Sequence, residues 1–290
     1  MVYGLWSIDK KQMKNINWKR VFMLSVWAIS LVGVMVLLSF VSNRQDKMVC
    51  KGVKINIEGK NFLVEKGDIL TLMNKVLPQF VSRPLDEIPV EEIEKVVRMN
   101  PFVERADIFI DLDGIVRINV QQREPIVRII NKNYQSFYID KKGRKMPLSL
   151  NFSPRVMVAN GFIDELPAYN DTLKTATAKQ IFELAQFTTN EKNEFWSAQI
   201  EQVYVNDNED LELVPRVGDH RILLGNTEGL EQRMNNLMVF YKKALPRMGW
   251  NEYKIINIKY QNQVIGIRDS LIRKQVTSTD TLKTDSTRIN

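Results

Sequence analysis

Four places in the 290-residue chain carry side chains whose type and spacing could do chemistry. His220, the one histidine, sits in Gly218-Asp219-His220-Arg221 and could act as a general base. A general base needs an oriented nucleophile within hydrogen-bond reach, and none is evident nearby; a histidine at the surface or in a turn is the simpler reading. Cys50, the one cysteine, stands beside Lys47 and Lys51. A catalytic thiol wants a histidine partner, so a free cysteine is expected there. Ser7-Ile8-Asp9-Lys10 matches the Ser-x-x-Lys pattern of wall-acylating enzymes, without their companion motifs. Asp111 and Asp113 could serve glycoside cleavage, but they flank a turn, where Asp bonds its local backbone. A single Cys and a single His exclude an intrachain disulfide and the common structural zinc sets. No Gly-rich phosphate loop supports nucleotide use. The expectation is a protein that is not an enzyme, with no metal, cofactor or small-molecule substrate.

Val21 to Val41 is an uncharged run of 21 residues. As a helix it spans about 31 Å, close to a hydrocarbon core of about 30 Å. A cleaved signal peptide would have a shorter apolar region, about 7–15 residues, and a small-x-small cleavage site. Residues 21–41 are therefore expected to cross the membrane and touch its lipid. Five basic residues (Lys10, Lys11, Lys14, Lys19, Arg20) precede the run, against four (Arg44, Lys47, Lys51, Lys54) in the equivalent window after it. The bias is slight, and Lys19 and Arg20 abut the membrane on the side expected to be cytoplasmic. Met13 is a possible alternative start. The net charge of +7 is scattered, with no basic block of five, so nucleic-acid binding is not expected.

Beyond the span the pattern is α+β. Lys54–Ile57 reads as a strand, Gly67–Leu77 and Pro89–Met99 as helices, and Ala106–Ile110 with Val116–Val120 as a hairpin around Asp113-Gly114. Ile126–Ile130 adds a further strand. The aromatic group Tyr134, Phe137 and Tyr138 is read as sheet packing. The second half reads as strands at 155–159, 199–205, 210–215 and 221–224, with helices at 173–187 and 227–245. Ala176, Ile181, Leu184 and Ala185 are the expected buried side of the first helix, and Leu230, Met234, Leu237, Met238 and Tyr241 that of the second. A last hairpin, Tyr253–Tyr260 and Val264–Arg268, closes the ordered region. Of the final 14 residues, 7 are Ser or Thr, a composition expected to be disordered. The expected division is a cytoplasmic tail (1–20), a transmembrane helix (21–41), a first domain (51–131), a β domain (132–268) and a disordered tail (269–290).

Several segments resemble the FtsQ/DivIB family of bacterial cell-division proteins. They are Val53–Gly59 (VKINIEG), Asn100-Pro101-Phe102-Val103 with Ala106, Ile118–Ile126 (INVQQREPI), Tyr138-Ile139-Asp140 with Gly143, Ile222–Gly225, and Ile258-Lys259-Tyr260. Their order and spacing cover about residues 20–268. Gln122 departs from the family pattern, where an acid is usual, as does Val127-Arg128, where Ala is common. The resemblance implies a membrane-proximal POTRA domain (β-α-α-β-β) over 51–131, then a mixed β-rich domain with an open last strand. It implies a scaffold of the divisome at the septum, in the cell inner membrane, with the C-terminal domain periplasmic and with FtsB and FtsL as chief partners. Alternatives are another POTRA-bearing assembly protein or a membrane-anchored cell-wall enzyme. Partner-binding residues expected on the last strands are Ile258, Tyr260, Asn262, Val264, Ile265, Ile267 and Arg268. In this reading Ile256, Ile258 and Tyr260 share one face, and a proline at Ile265 or Ile267 removes a backbone donor, which weakens partner pairing at whichever of the two points outward.

Overall fold

The computed structural model describes residues 18–45, 48–59, 61–169 and 171–268. The Ser7-x-x-Lys10 pattern and the expected disordered tail lie outside the described residues. The first helix, α1 (Trp18–Gln45), has 28 residues, about 42 Å of helix. Its segment Trp18–Ser39 has a mean hydropathy of 2.6 and is not buried against any of the described residues. A helix apolar and exposed on every side suits lipid. Among the described residues it is the one helix long and apolar enough to cross a membrane. Ser25 donates its hydroxyl to the Phe22 carbonyl at 2.8 Å, so the polar atom is satisfied within the helix.

A small sheet follows, made of β1 (Gly52–Glu58), β2 (Val103–Ile110) and β3 (Ile115–Gln122). The strand order is β1-β3-β2, with β1 parallel and β2 antiparallel to β3. Helices α2 (Lys66–Val76) and α3 (Val90–Arg98) cover one face. Helix α2 starts where the Asp68 carboxylate accepts the Glu65 N–H at 2.9 Å, and Pro78 lies just beyond its end. Helix α3 carries Glu91 and Glu92 in its first turn and buries Ile93 and Val97, one turn apart. Those residues meet Ile69, Met73, Ala106, Val116 and Ile118 in one core, and Cys50 is buried there too, 1% exposed. Cys50 is thus a free thiol, and a core side chain of this domain.

The large sheet has nine strands in the order β12-β11-β10-β9-β8-β7-β4-β5-β6. They are β4 (Pro125–Ile130), β5 (Ser136–Asp140), β6 (Lys145–Met146), β7 (Met157–Gly161), β8 (Ile200–Val205), β9 (Leu211–Pro215), β10 (Arg221–Gly225), β11 (Tyr253–Asn257) and β12 (Ile265–Arg268). Parallel neighbours need a crossover, which is usually helical. The parallel pair β7 and β8 is linked through α4 (Ala176–Thr189) and α5 (Glu194–Gln199). The parallel pair β10 and β11 is linked through α6 (Leu230–Lys243) and the short α7 (Leu245–Met248). Ile181, Leu184 and Ala185 of α4 join Leu230, Met234, Leu237 and Tyr241 of α6 over one face of the sheet.

Three expectations change here. Strand β4, expected in the first domain, pairs with β5 and β7 in the large sheet. Its Ile126, Val127 and Ile129 are all buried, which requires cover on both faces, and a small sheet with helices on one side does not offer that. Helix α4 begins at Ala176 because the Thr175 hydroxyl accepts the Ala178 N–H, which exposes Ala176 and buries Ala178 in its place. The aromatic group divides: Phe137 and Tyr138 are buried, whereas Tyr134 is 88% exposed at a positive φ of 60°.

The two sheets meet at a packed seam. The Gln122 side-chain carbonyl accepts the N–H groups of Leu63 and Val64 at 2.9 and 3.0 Å. Arg123 pairs with Asp140 at 2.7 Å, both buried. Leu63, Tyr138 and Met146 form a small core with Phe102, Phe152 and Val156 beside it.

Candidate functional site

Strand β12 lies at one end of the large sheet, and the sequence shows what holds it there. Tyr253–Asn257 runs parallel to β10, and Gln261-Asn262 turns the chain with Asn262 at φ 65°. The Asn262 side chain accepts from Gln232 of α6 at 2.7 Å, which ties the turn to the helix. Strand β12 then returns antiparallel, pairing Asn257 with Ile265, Ile256 with Gly266 and Ile255 with Ile267.

The direction of the backbone groups follows from one bond. The Ile258 N–H donates to the Leu223 carbonyl of β10 at 3.0 Å. Peptide groups alternate sides along a strand, so Ile256 also addresses β10, while Ile255 and Asn257 address β12. Their partners Ile267 and Ile265 therefore turn inward; alternation along β12 itself then turns the N–H of Gly266 outward and carries that of Arg268 the same way, beyond the register shift that sets Arg268 opposite Tyr253. In this register neither Ile265 nor Ile267 points its N–H outward.

Gly266 is there because of Tyr253. A Cβ at position 266 would lie 2.5 Å from the Tyr253 ring, so only glycine lets that ring cross β12. The ring also meets Phe240 of α6, with centroids 5.5 Å apart, and the Arg268 guanidinium, 5.9 Å from its centroid. Arg268 in turn bonds Glu252 at 3.0 Å. Thus β12 is pinned from one side, and among the described residues no strand pairs with its other side.

Other sheet edges are treated differently. Strand β6 is two residues long, and the segment at Asp171 and Thr172 covers it through the Lys145 N–H and a bridge to Arg144. On β2 the Arg98 guanidinium bonds the Ala106 carbonyl, and Arg105 and Asp107 add charge. On β1, Lys54 and Glu58 are exposed. Charged edges resist strand addition; β12 instead carries Ile265, 39% exposed, with its charge confined to Arg268.

Of the seven residues expected on this edge, the structure gathers Val264, Ile265, Ile267 and Arg268 on or beside β12, with Tyr260 exposed and Asn262 in the turn. Ile258 is different: it is fully buried in the core and its side chain offers nothing to a partner. Tyr260 does not continue its face either, because the strand ends at Asn257. Gly266 was missed, and its place between two isoleucines in a terminal strand was the available signal.

The chemistry-bearing residues have structural partners instead. Asp111 bonds Arg117 and the Leu112 N–H at the hairpin tip, and these hold its carboxyl below its ordinary value. His220, expected at the surface, is 3% exposed. Its Nε2 lies 2.6 Å from the Tyr241 hydroxyl, within a cluster that includes Trp196 and Trp250. Gly218 permits this, since at φ 97° a Cβ there would sit 2.6 Å from the imidazole.

Burial lowers the His220 pKa and so favours the neutral ring in the folded state. The unfolded chain binds that proton more readily, so stability is full above the unfolded value, about 6.5, and declines as pH falls below it. The melting temperature should drop between pH 7 and pH 5.5, and His220→Gln should flatten that drop. A parent protein with no change in this window would contradict the assignment.

With this geometry established, comparison with known families gives two matches. Residues 48–121 match the POTRA-like domain. Residues 124–267 match the family described as FtsQ/DivIB, C-terminal related. The chain belongs to the FtsQ/DivIB family. The second match ends within β12, so the bare edge lies inside the family domain. With α1, these matches make it a single-pass membrane protein of cell division with a POTRA-like domain and a β-rich C-terminal domain. No curated protein matches the chain.

Proposed function

We propose that the protein is a non-enzymatic scaffold of the divisome, linking early and late division proteins at the septum. The N-terminus lies in the cytoplasm, and both folded domains work on the periplasmic side of the inner membrane. Strand β12 is the docking edge, and FtsB and FtsL are the chief partners. One observation carries this reading: β12 presents the outward donors of Gly266 and Arg268 beside exposed Ile265, in the domain that matches the FtsQ/DivIB family. A partner segment that adds as a strand uses such backbone groups for affinity and neighbouring side chains for selectivity.

A photo-crosslinking residue at Ile265 in the full chain tests it. Crosslinks to FtsB, with FtsL recovered in the same complex, are the expected result, while a probe at Tyr134 gives none. Equal yields at both positions, or no FtsB at Ile265, would reject the assignment.

A further inference from the structure

We propose that the base of the POTRA-like domain rests on the bilayer that holds α1, inserting Val49, Val81 and Leu112 into its outer interface. Three separate segments bring these side chains together. The Cys50 N–H donates to the Arg83 carbonyl at 2.8 Å, and the Cys50 carbonyl accepts the Ser82 N–H at 2.7 Å. Val49 also forms a bridge with Pro84. On the other side the Lys51 N–H donates to the Gly114 carbonyl at 2.8 Å, and a Cβ on Gly114 would lie 2.9 Å from the Val49 carbonyl oxygen. The loop before Pro84 and the β2–β3 hairpin tip therefore flank the residues that lead into β1.

At that place the apolar side chains point away from the core. Val49 is 44% exposed, Val81 60% and Leu112 81%. Scattered exposed apolar residues are ordinary, but these come from three segments joined at one end of a domain. Lys51 and Arg83 stand among them, as do Asp113 and Glu87. The charges are mixed, so apolar insertion and not anion binding is the organising interaction.

The occupant follows from the tether. Helix α1, at about 42 Å, matches a bilayer including its headgroup layers, about 40–45 Å. Gln45 then lies near the outer headgroup surface, and three peptide steps to Met48 reach at most about 11 Å. The bilayer is the one apolar medium that the chain itself holds permanently within that distance, at a high effective concentration.

The contact would set the height of everything above it. β1 and β3 run parallel over the seven pairs Gly52–Ile115 to Glu58–Gln121, about 23 Å of strand. Their far end leads into the large sheet. A domain standing on its hairpin tip holds the start of that sheet off the membrane.

The test uses the full chain in a Cys50→Ala background, reconstituted in phosphatidylcholine–phosphatidylglycerol (3:1) vesicles without partners. Nitroxide labels go on Leu112→Cys and Val81→Cys, with Tyr134→Cys as the aqueous reference and Ile29→Cys in α1 as the control for insertion. Collision with a water-soluble nickel chelate should be several-fold lower at 112 and 81 than at 134, and collision with oxygen higher. With Ile29 lipid-embedded, labels at 112 and 81 as accessible as at 134 would overturn the proposal. Leu112→Asp should raise nickel access at 81; an unchanged value would show that the residues do not act as one surface and would overturn it as well.

Discussion

Lys145→Met should destabilise the protein by about 3–5 kcal/mol, the usual cost of leaving one buried ion without its partner. Lys145 and Glu165 are each 1% exposed, with Nζ and Oε1 2.5 Å apart. The other Glu165 oxygen accepts the N–H groups of Lys174 and Thr175 and the Thr175 hydroxyl, at 2.8 to 3.0 Å. Burial by itself would push the Glu165 carboxyl up, but the bonds from Lys145 and Thr175 hold it below its ordinary value. A carboxylate with a lowered folded pKa contributes stability above its unfolded pKa, which is lost as pH falls through the folded value. Without Lys145, burial favours the neutral carboxyl, so the difference between parent and variant should already narrow as pH falls toward the ordinary carboxylate value, and narrow further below it, as the carboxyl takes a proton.

At neutral pH the loss corresponds to a fall in melting temperature of about 10 °C for a domain of this size. Adding Glu165→Gln to Lys145→Met should recover part of it, because the buried charge is gone and the amide oxygen still accepts from Thr175. Full additivity of the two losses would show that the pair is not coupled. The site matters beyond stability: the Lys145 backbone N–H donates to the Asp171 carbonyl, and this segment closes the β6 edge of the sheet. The variant should therefore also aggregate more readily on heating.

Nothing in the local sequence announces this pair. Lys145 stands in a charged turn and Glu165 lies 20 residues on, so each reads alone as a solvated charge. Arg123–Asp140 and Arg233, which donates to the Leu224 and Asn226 carbonyls, are hidden in the same way. What was legible were the features written within one element. The Asp113-Gly114 turn, the paired stripes of α3 and α6, and the apolar run of α1 each depend on residues a few positions apart. His220 reads as a surface residue because its cover comes from Tyr241 and Trp250, residues its own turn does not reveal.

The last hairpin marks the limit of pattern reading most clearly. A strict alternation over Tyr253–Tyr260 assigns Tyr253 and Ile256 to opposite faces. A register shift between Tyr253 and Ile255 breaks the alternation and lets Tyr253 pack on Phe240 with the core side. Such a bulge adds a residue without changing composition, so hydrophobic period alone does not locate it. The donors of β12 that face outward follow from the pairing of Ile255–Asn257 with Ile265–Ile267, which that period does not reveal either.

Arg268→Pro should weaken partner binding about tenfold relative to Arg268→Ala, the equivalent of one lost hydrogen bond of about 1.4 kcal/mol. Both variants lose the guanidinium, its bond to Glu252 and its contact with Tyr253, so the comparison isolates the outward N–H. Ile267→Pro is the opposing control. Its N–H addresses β11, opposite Ile255, so the substitution should loosen the hairpin itself and lower the melting temperature. Binding of FtsB and thermal unfolding should be measured for all three variants on the full chain. The expected pattern is a binding loss without a stability loss at Arg268→Pro, and a stability loss at Ile267→Pro. If Arg268→Pro binds as Arg268→Ala does, no partner strand uses that donor, and the docking surface must be sought away from the β12 edge.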